Sequence, residues 1–442
     1  MSAAAERPAD SSYWRIAAWY GLAVMILVSM AGNSISQIMA LLTEAMKRDL
    51  SMTDAQIGAM RGVATTLVVA IASYPIAWLA DRIDRRIVFA LCMLIWSAAT
   101  VAMGFAVNYE MLFLLAIGLA FGESVLGPVT FAMIPDLFPP ERRMLANSIF
   151  FISQLLGVAA GLTLGGWLIN SVGGLVPLLP AAWADAEMWR LALPAAAIPT
   201  LVLIPFVLLM RLKRRERPAK GPTAPRDSIW PFMREHARTL MPIFIGFGLL
   251  AAANFVPFGW LAVIMMRNLG EAPSAVGFQL GQVFAIGGVL GVVGANVLAR
   301  VVSKNNPELA PIRIAQIGAT VAIIACLLYL VAREPWHFYA IATVQLIASA
   351  GALVLSPTLT QNVTVARTRA RMIAIGGMFY IGFGALSPLL VGAISDALGA
   401  GGRDLLYAML IVAIPAFALG AIALQFSTIT LSKTLAAVRD DP

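Results

Sequence analysis

The sequence predicts an all-α membrane protein in which twelve transmembrane helices form two pseudo-symmetric six-helix bundles. The first observation is compositional: 60% of the 442 residues are hydrophobic and only 12% are charged, whereas a soluble domain carries about 25% charged residues. The second is a series of twelve apolar stretches, and the third is a charged segment that divides them six and six. So few charges cannot cover a water-soluble surface, which excludes a soluble fold.

Each predicted span is a window of mainly apolar residues about 20 residues long, which is the length needed to cross a bilayer. The spans are 14–42, 54–80, 87–107, 110–135, 144–170, 188–210, 239–266, 274–299, 311–332, 335–362, 372–397 and 404–426. They define an N-terminal bundle (14–210), a linker (211–238), a C-terminal bundle (239–426) and two polar tails (1–13 and 427–442). The linker is rich in charge and proline, so it either joins the halves as a solvated segment or binds anionic lipid head groups.

The distribution of basic residues predicts that both termini are cytoplasmic. Of the 31 Lys and Arg residues, 24 fall in segments on the side of the N-terminus, six fall on the other side, and Arg61 lies within a span. Cytoplasmic loops carry such an excess of positive charge. We therefore expect a multi-pass protein of a bacterial inner membrane, and the net charge of +8 reflects anchoring rather than nucleic-acid binding.

Glycine pairs recur in the two predicted halves. Gly58 and Gly62 in span 2 return as Gly277 and Gly281 in span 8, a shift of 219 residues. Spans 5 and 11 also carry small residues at four-residue spacing, which lets helix backbones approach closely. Two related six-helix halves joined by a linker are a repeat architecture of secondary transporters, for which the major facilitator superfamily is an example.

Several other classes of protein are excluded by what the sequence lacks. Cys92 and Cys326 both lie in apolar stretches, so neither a disulfide framework nor a metal site is expected. No H-E-x-x-H motif, no paired aspartates within spans and no G-x-x-x-x-G-K-[ST] loop occurs, which argues against an intramembrane enzyme and a nucleotide-driven pump. We expect no cofactor and a monomer.

Two motifs resemble those of the major facilitator superfamily. The loop after span 2 reads AWLADRIDRR (77–86), similar to the family's G-x-L-a-D-R-x-G-R-R, and span 5 reads GVAAGLTLGG (157–166), similar to its antiporter motif. Ala77 and Asp84 replace the two loop glycines, and Leu162 replaces the usual proline. We expect a gate latch formed by Asp81, Arg82, Arg85, Arg86, Asp136, Arg142 and Arg143, and close helix packing at Gly157, Gly161, Gly165 and Gly166. Simple anchoring of the loop by its positive charges is the alternative.

Four further stretches, in order along the chain, resemble the spinster-like branch of that superfamily. They are LSMTDAQIG (50–58), GESVLGP (122–128), PDLFPPERR (135–143) and SPLLVGAISD (387–396). The resemblance implies a proton-linked carrier of lipid-like or organic-anion solutes. The sequence departs from the branch where Ile35 and Ser36 replace an Asp-Arg pair in span 1 and where Ala116 replaces an arginine in span 4.

Two charged residues lie well inside the predicted spans, away from the span ends. Glu123 is the only carboxylate near the middle of a span. Because placing an acid in the membrane interior costs free energy, this residue indicates proton coupling. The alternative is a neutral, hydrogen-bonded structural acid. Arg61 lies about two turns into span 2, where it either supplies the cation missing from span 4, for Glu123 or an anionic substrate, or extends to the outer head groups.

Uncharged polar residues within the spans are candidates for a substrate cavity. They are Asn33, Gln37, Gln154, Asn254, Gln282, Gln345, Gln361 and Tyr380. With so few charges, the cavity favours a small amphiphile or organic anion over a strongly hydrated ion. We predict a secondary active transporter working by alternating access and coupled to protons through Glu123. The alternatives are a multidrug or lipid exporter of the antiporter type, and an uncoupled facilitator or sensor.

Overall fold

The computed structural model describes residues 12–175, 187–212, 229–302, 304, 308–365 and 369–440, and its regular secondary structure in these parts is helical. One helix is of the π type, Met60–Leu67. The α-helices are α1 (Ser12–Asp49), α2 (Asp54–Ala59), α3 (Val68–Ala80), α4 (Arg85–Met103), α5 (Tyr109–Glu123), α6 (Pro128–Leu137), α7 (Pro140–Leu175), α8 (Met188–Leu208), α9 (Ile229–Glu235), α10 (Ala237–Leu269), α11 (Pro273–Val302), α12 (Ala310–Leu328), α13 (Pro335–Asn362), α14 (Arg369–Leu398) and α15 (Gly402–Asp440).

These helices reproduce the twelve predicted spans. Within the described ranges, nine helical stretches are long and apolar enough to cross a membrane. The three other predicted spans correspond to α5 with α6, to α7, and to α13. The chain is therefore a multi-pass helical protein with six spans in each half.

Helix ends differ most from the predicted boundaries at two places. α15 continues to Asp440, although residues 427–442 were expected to form a polar tail. The linker 211–238 lies largely outside the described residues, but its last part forms α9 and the start of α10. A hydropathy window ends where the apolar content falls, whereas a helix continues until a helix-breaking residue. No glycine or proline lies between Gly420 and Pro442, so α15 continues beyond its apolar part.

Span 4 is two helices rather than the single predicted segment 110–135. α5 ends at Glu123, residues 124–127 form a turn, and α6 starts at Pro128. Proline has no N–H to donate and its ring clashes with the preceding turn, so the helix breaks just before it. The break leaves Glu123 at the end of α5, in the interior of the protein rather than in the middle of a regular helix.

Span 2 is continuous but changes its helix type. It runs through α2, the π-helical segment Met60–Leu67 and α3. In the π-helical segment the hydroxyls of Thr65 and Thr66 both donate to the carbonyl oxygen of Arg61, the latter at 3.2 Å. Single π turns are rare and often occur at functional sites, and this one carries the charged residue of the span.

The two halves meet along two seams of small residues. Gly58 and Gly62 lie against the backbone of α14, and Gly277 and Gly281 lie against the backbone of α7. The two glycine pairs that repeat in the sequence therefore occupy equivalent places, each at the contact between a span of one half and a span of the other. Both seams lie toward the end of the molecule where α1 ends and α2 begins, which we call the predicted outer end.

The glycines of α7 serve the packing within and between the halves. A Cβ on Gly161 would lie 2.7 Å from the Cα of Ser34 in α1, and a Cβ on Gly165 would lie 2.7 Å from the side chain of Ile38. Gly157 faces α1 at ordinary contact distance, while Gly166 faces Ser274 of α11. Larger residues at 161, 165 or 166 would force these helices apart.

Candidate functional site

A cavity lies between the two halves, lined by α1, the π-helical segment, α10 and α14. Its volume is about 420 Å³. The lining residues are Ser36, Gln37, Met39, Thr43, Met60, Arg61, Thr65, Thr66, Asn254, Phe255, Phe258, Gly259, Tyr380 and Pro388. Hydroxyls and amides are mixed with aromatic rings and methionines, a surface suited to a ligand with one polar end and one apolar body.

Arg61 is the charged residue of this lining. Its Nη1 donates to the carbonyl oxygen of Gly259 in α10, so the guanidinium extends across the gap between the halves. It therefore points into the cavity and not toward outer head groups. The guanidinium has five N–H donors, and the Gly259 carbonyl accepts from Nη1. Other donors of the guanidinium can therefore bind an anion.

Glu123 lies next to the cavity rather than in its wall. The hydroxyl of Ser36, which lines the cavity, is 3.3 Å and 3.5 Å from the two carboxylate oxygens. The pairing of Arg61 with Glu123 that we considered from the sequence is not formed, because Arg61 contacts Gly259 and Glu123 contacts Ser36. Ser36 stands at one of the positions where the spinster-like branch carries a charge.

The uncharged residues predicted for the cavity separate into three groups. Gln37, Asn254 and Tyr380 line it. Asn33 and Gln154 instead bind each other, Nδ2 to Oε1 at 2.7 Å, and join α1 to α7.

The third group lies away from the cavity. Gln345 is buried in the C-terminal half, where it accepts from Tyr329 at 3.3 Å. Gln282 is exposed on the same face of α11 as Phe278 and Ile286, and Gln361 is exposed near the end of α13. These residues do not line the cavity in this structure, because polarity within a span does not reveal which face of its helix a residue occupies.

A network of ionic contacts that the sequence analysis missed joins the halves at the predicted outer end. The buried carboxylate of Asp54 accepts from Arg267 Nη1 and Nη2, both at 2.8 Å, and from Lys47 Nζ at 2.5 Å. Arg267 also donates to Glu44 at 2.6 Å, and Ser395 donates to Asp54 at 2.7 Å. α1, α2, α10 and α14 all contribute, so these contacts hold the two halves together at this end.

The start of α2 is also held by the opposite half. The carboxylate of Asp396 in α14 accepts from the backbone N–H groups of Asp54, at 2.9 Å, and Ala55, at 2.8 Å. A carboxylate is stabilising at a helix N-terminus, where N–H groups lack partners. Asp54 and Asp396 both stand in motifs quoted above, and oppositely charged residues at the ends of spans 1, 2, 7 and 11 were the signal that could have revealed the network.

The predicted gate residues form a compact group at the other end, which we call the predicted inner end. Arg85 lies between Asp136, at 2.5 Å, and Asp81, at 3.0 Å. Arg86 binds Asp84 at 2.6 Å and lowers the pKa of that carboxyl.

The remaining residues of this group contact their own surroundings. Arg82 stacks 3.6 Å above the Trp78 ring, Arg143 donates to the Phe138 carbonyl at 3.1 Å, and Arg142 is exposed. The partners identified here belong to the N-terminal half, so a latch between the halves at the predicted inner end remains a prediction.

Comparison with known proteins identifies the family. The family model described as Major Facilitator Superfamily matches residues 22–375. The chain belongs to this superfamily. It is therefore a multi-pass transporter with a small-molecule substrate, in a family whose members are not enzymes.

Individual relatives agree with this assignment. An MFS-type efflux pump of Mycolicibacterium smegmatis is 26% identical over 394 residues, covering 86% of this chain and 85% of the relative. The sphingosine-1-phosphate transporter SPNS2 of Danio rerio is 27% identical over 342 residues, covering 73% of this chain and 65% of the relative. A crystal structure of a bacterial homologue of the human lysosomal transporter Spinster, in an inward-facing and unoccupied conformation, superposes with a TM-score of 0.74 at 21% identity, covering 98% of each chain. The similarity to the spinster-like branch that the motifs indicated is thus confirmed.

Proposed function

We propose that this chain is a secondary transporter that moves a small amphiphilic or organic-anion solute across the bacterial inner membrane by alternating access. Both termini would be cytoplasmic, as the Lys and Arg distribution predicts. The observation that carries the proposal is the position of Arg61, a single cation in the wall of a cavity between two halves.

The chemistry of the wall favours a monoanion with an apolar body. Among the described residues that line the cavity, Arg61 is the only charged one, so it can compensate one negative charge. A second charge on the solute would lose its hydration without gaining an ion-pair partner, which costs roughly several kcal/mol in a buried site. Phe255, Phe258 and Tyr380 offer aromatic surface for the rest of the molecule.

The charged contacts at the two ends of the molecule support alternating access. The network at Asp54 and Arg267 supports closure of the predicted outer end. In the opposite state these contacts would separate, and the group around Asp81, Arg85 and Asp136 would meet the C-terminal half. Contacts between the halves that form in only one of the two states would act as latches.

A transport assay tests the function directly. Thermal-shift screening of the purified protein against lysolipids, fatty acids, aromatic acids and common drugs would select ligands, and counterflow in proteoliposomes would follow the ones that bind. We expect counterflow of at least one hydrophobic monoanion. Binding without flux would instead indicate a sensor, and flux confined to cations would contradict the proposal.

Proton coupling is expected to depend on Glu123. Glu123→Gln should remove the stimulation of uptake by a pH gradient while leaving substrate counterflow within about twofold, because the amide keeps the contact to Ser36 but cannot release a proton. The measurement is uptake into proteoliposomes with and without the gradient. Glu110→Gln, an exposed acid in the first turn of α5, is the matched control.

Two results would contradict the role of Glu123. If the Glu123→Gln protein keeps the full gradient stimulation, another group carries the proton. If the unmodified protein shows flux that is insensitive to collapse of the gradient, the chain is an uncoupled facilitator.

A further inference from the structure

A second, smaller pocket opens beside the cavity, within the C-terminal half. It lies between α10, α11 and α13 and has a volume of about 40 Å³. Leu280, Val283 and Leu346 form much of its wall. Its buried polar groups are already bonded within the protein, since Asn254 donates to the Leu250 carbonyl at 2.8 Å and Gln345 accepts from Tyr329. The surface left for a ligand is therefore apolar.

The side pocket adjoins the cavity at Phe258. Phe258 and Asn254 line both spaces, so they form the partition between them. Phe258 is 42% exposed, and the centroid of its ring is 4.5 Å from that of Phe284. A partly exposed side chain of this kind can change rotamer on a fast timescale, and its movement would widen the entrance.

The entrance lies next to the cation. Arg61 donates to the carbonyl of Gly259, the residue that directly follows Phe258 in α10. Because Arg61 and Phe258 also line the same cavity, a group bound to Arg61 would lie near the Phe258 partition. A ligand that fills both places has a charged head and an apolar tail only a few bonds away from it.

We infer that the side pocket between α10, α11 and α13 binds the apolar tail of the anion whose head group is held by Arg61. The substrate class is then a short-tailed amphiphilic monoanion. This inference rests on the function proposed above. A single water needs about 10–15 Å³ of cavity volume, and a methylene group is of similar size. The pocket of about 40 Å³ therefore takes about three or four methylene groups without repacking.

Chain-length dependence of binding tests the inference. Linear alkanesulfonates of increasing length stay charged at all working pH values, and their affinity for the full chain in nanodiscs can be measured by calorimetry, with empty nanodiscs as the reference for partition. We expect affinity to rise about fourfold for each added methylene and then to level off once about three or four carbons have entered the pocket.

Filling the pocket should move the point at which affinity levels off. Ala342→Leu adds three carbons to the pocket wall and should make the affinity level off two or three carbons earlier, leaving short members of the series unaffected. Val283→Leu is a milder second variant, which should shift it by about one carbon and guards against misfolding of the first. Ala340→Leu, exposed on the same helix, is the matched control and should behave as the unmodified protein.

The possible failures are distinguishable. If the sulfonates bind in an Arg61-dependent way but neither filling variant changes the chain-length profile, the tail lies elsewhere and only this inference is overturned. If no sulfonate binds the unmodified protein, the proposed anion site itself is wrong, and the tail pocket is rejected with it.

Discussion

Replacing Arg61 with glutamine is expected to weaken the binding of an organic monoanion by roughly tenfold to a hundredfold, because a hydrogen bond to a charged group contributes about 1.5–3 kcal/mol. Glutamine keeps a polar side chain of moderate length but removes the charge that faces the cavity. Neutral ligands of similar shape should bind the variant about as well as they bind the unmodified protein. The measurement is the dissociation constant of a matched anionic and neutral pair.

Two controls separate charge from structure in this experiment. Arg61→Lys keeps the charge without the fork of donors and should restore part of the anion affinity. Arg313→Gln removes an exposed arginine of α12 that contacts Gln316 and Gln425, and it should leave binding unchanged. Equal loss for the anion and the neutral ligand in Arg61→Gln would show that the residue shapes the cavity and does not hold the charge.

Replacing Asp54 with asparagine is expected to open the predicted outer end. The carboxylate is buried and pairs with Arg267 and Lys47. Removing one partner from a buried ion pair costs about 3–5 kcal/mol, and the cost falls on the state in which the contacts are made. The population closed at this end should therefore fall by about a hundredfold or more relative to the open one.

Spin-label distances can report this change. Labels at Ser51→Cys and Ala397→Cys, both exposed at the predicted outer end, should move apart in the Asp54→Asn protein, with the buried Cys92 and Cys326 replaced by alanine. Asp404→Asn is the matched control, because that carboxylate at the same end bonds the N–H of Gly401 in its own turn. An unchanged distance distribution in the Asp54→Asn protein would show that the network does not hold the gate.

Much of the fold could be predicted because it depends on composition along the chain. Apolar windows, the Lys and Arg bias and the repeated glycine pairs each report a local property that the membrane environment imposes. The helix break before Pro128 and the helical extension to Asp440 were not predicted, although both follow from local rules, since hydropathy windows do not register helix breakers.

The candidate site could be predicted only in part, for a different reason. Arg61 and Glu123 stand out in the sequence because charge within a span is rare. The partner of Arg61, Gly259, could not be recognised, because a backbone carbonyl in the other half leaves no mark in the sequence. Ser36 stands out in the sequence only as the replacement of a charged residue, and the structure alone shows its contact with Glu123. Gln37 and Gln282 look alike as residues in spans, yet only the structure shows that the first lines the cavity and the second is exposed on an apolar helix face.

The central claim is that the cavity between the halves communicates with one face of the membrane at a time. The most direct test places a cysteine in the cavity wall, Gln37→Cys, in a protein whose Cys92 and Cys326 are replaced by alanine. A membrane-impermeant thiol reagent is then added to right-side-out and to inside-out vesicles. We predict that the reagent reacts from the face of the termini only, and that adding Asp54→Asn makes the same cysteine reactive from the opposite face. Reaction from neither face, or at equal rates from both faces before Asp54 is changed, would contradict the account.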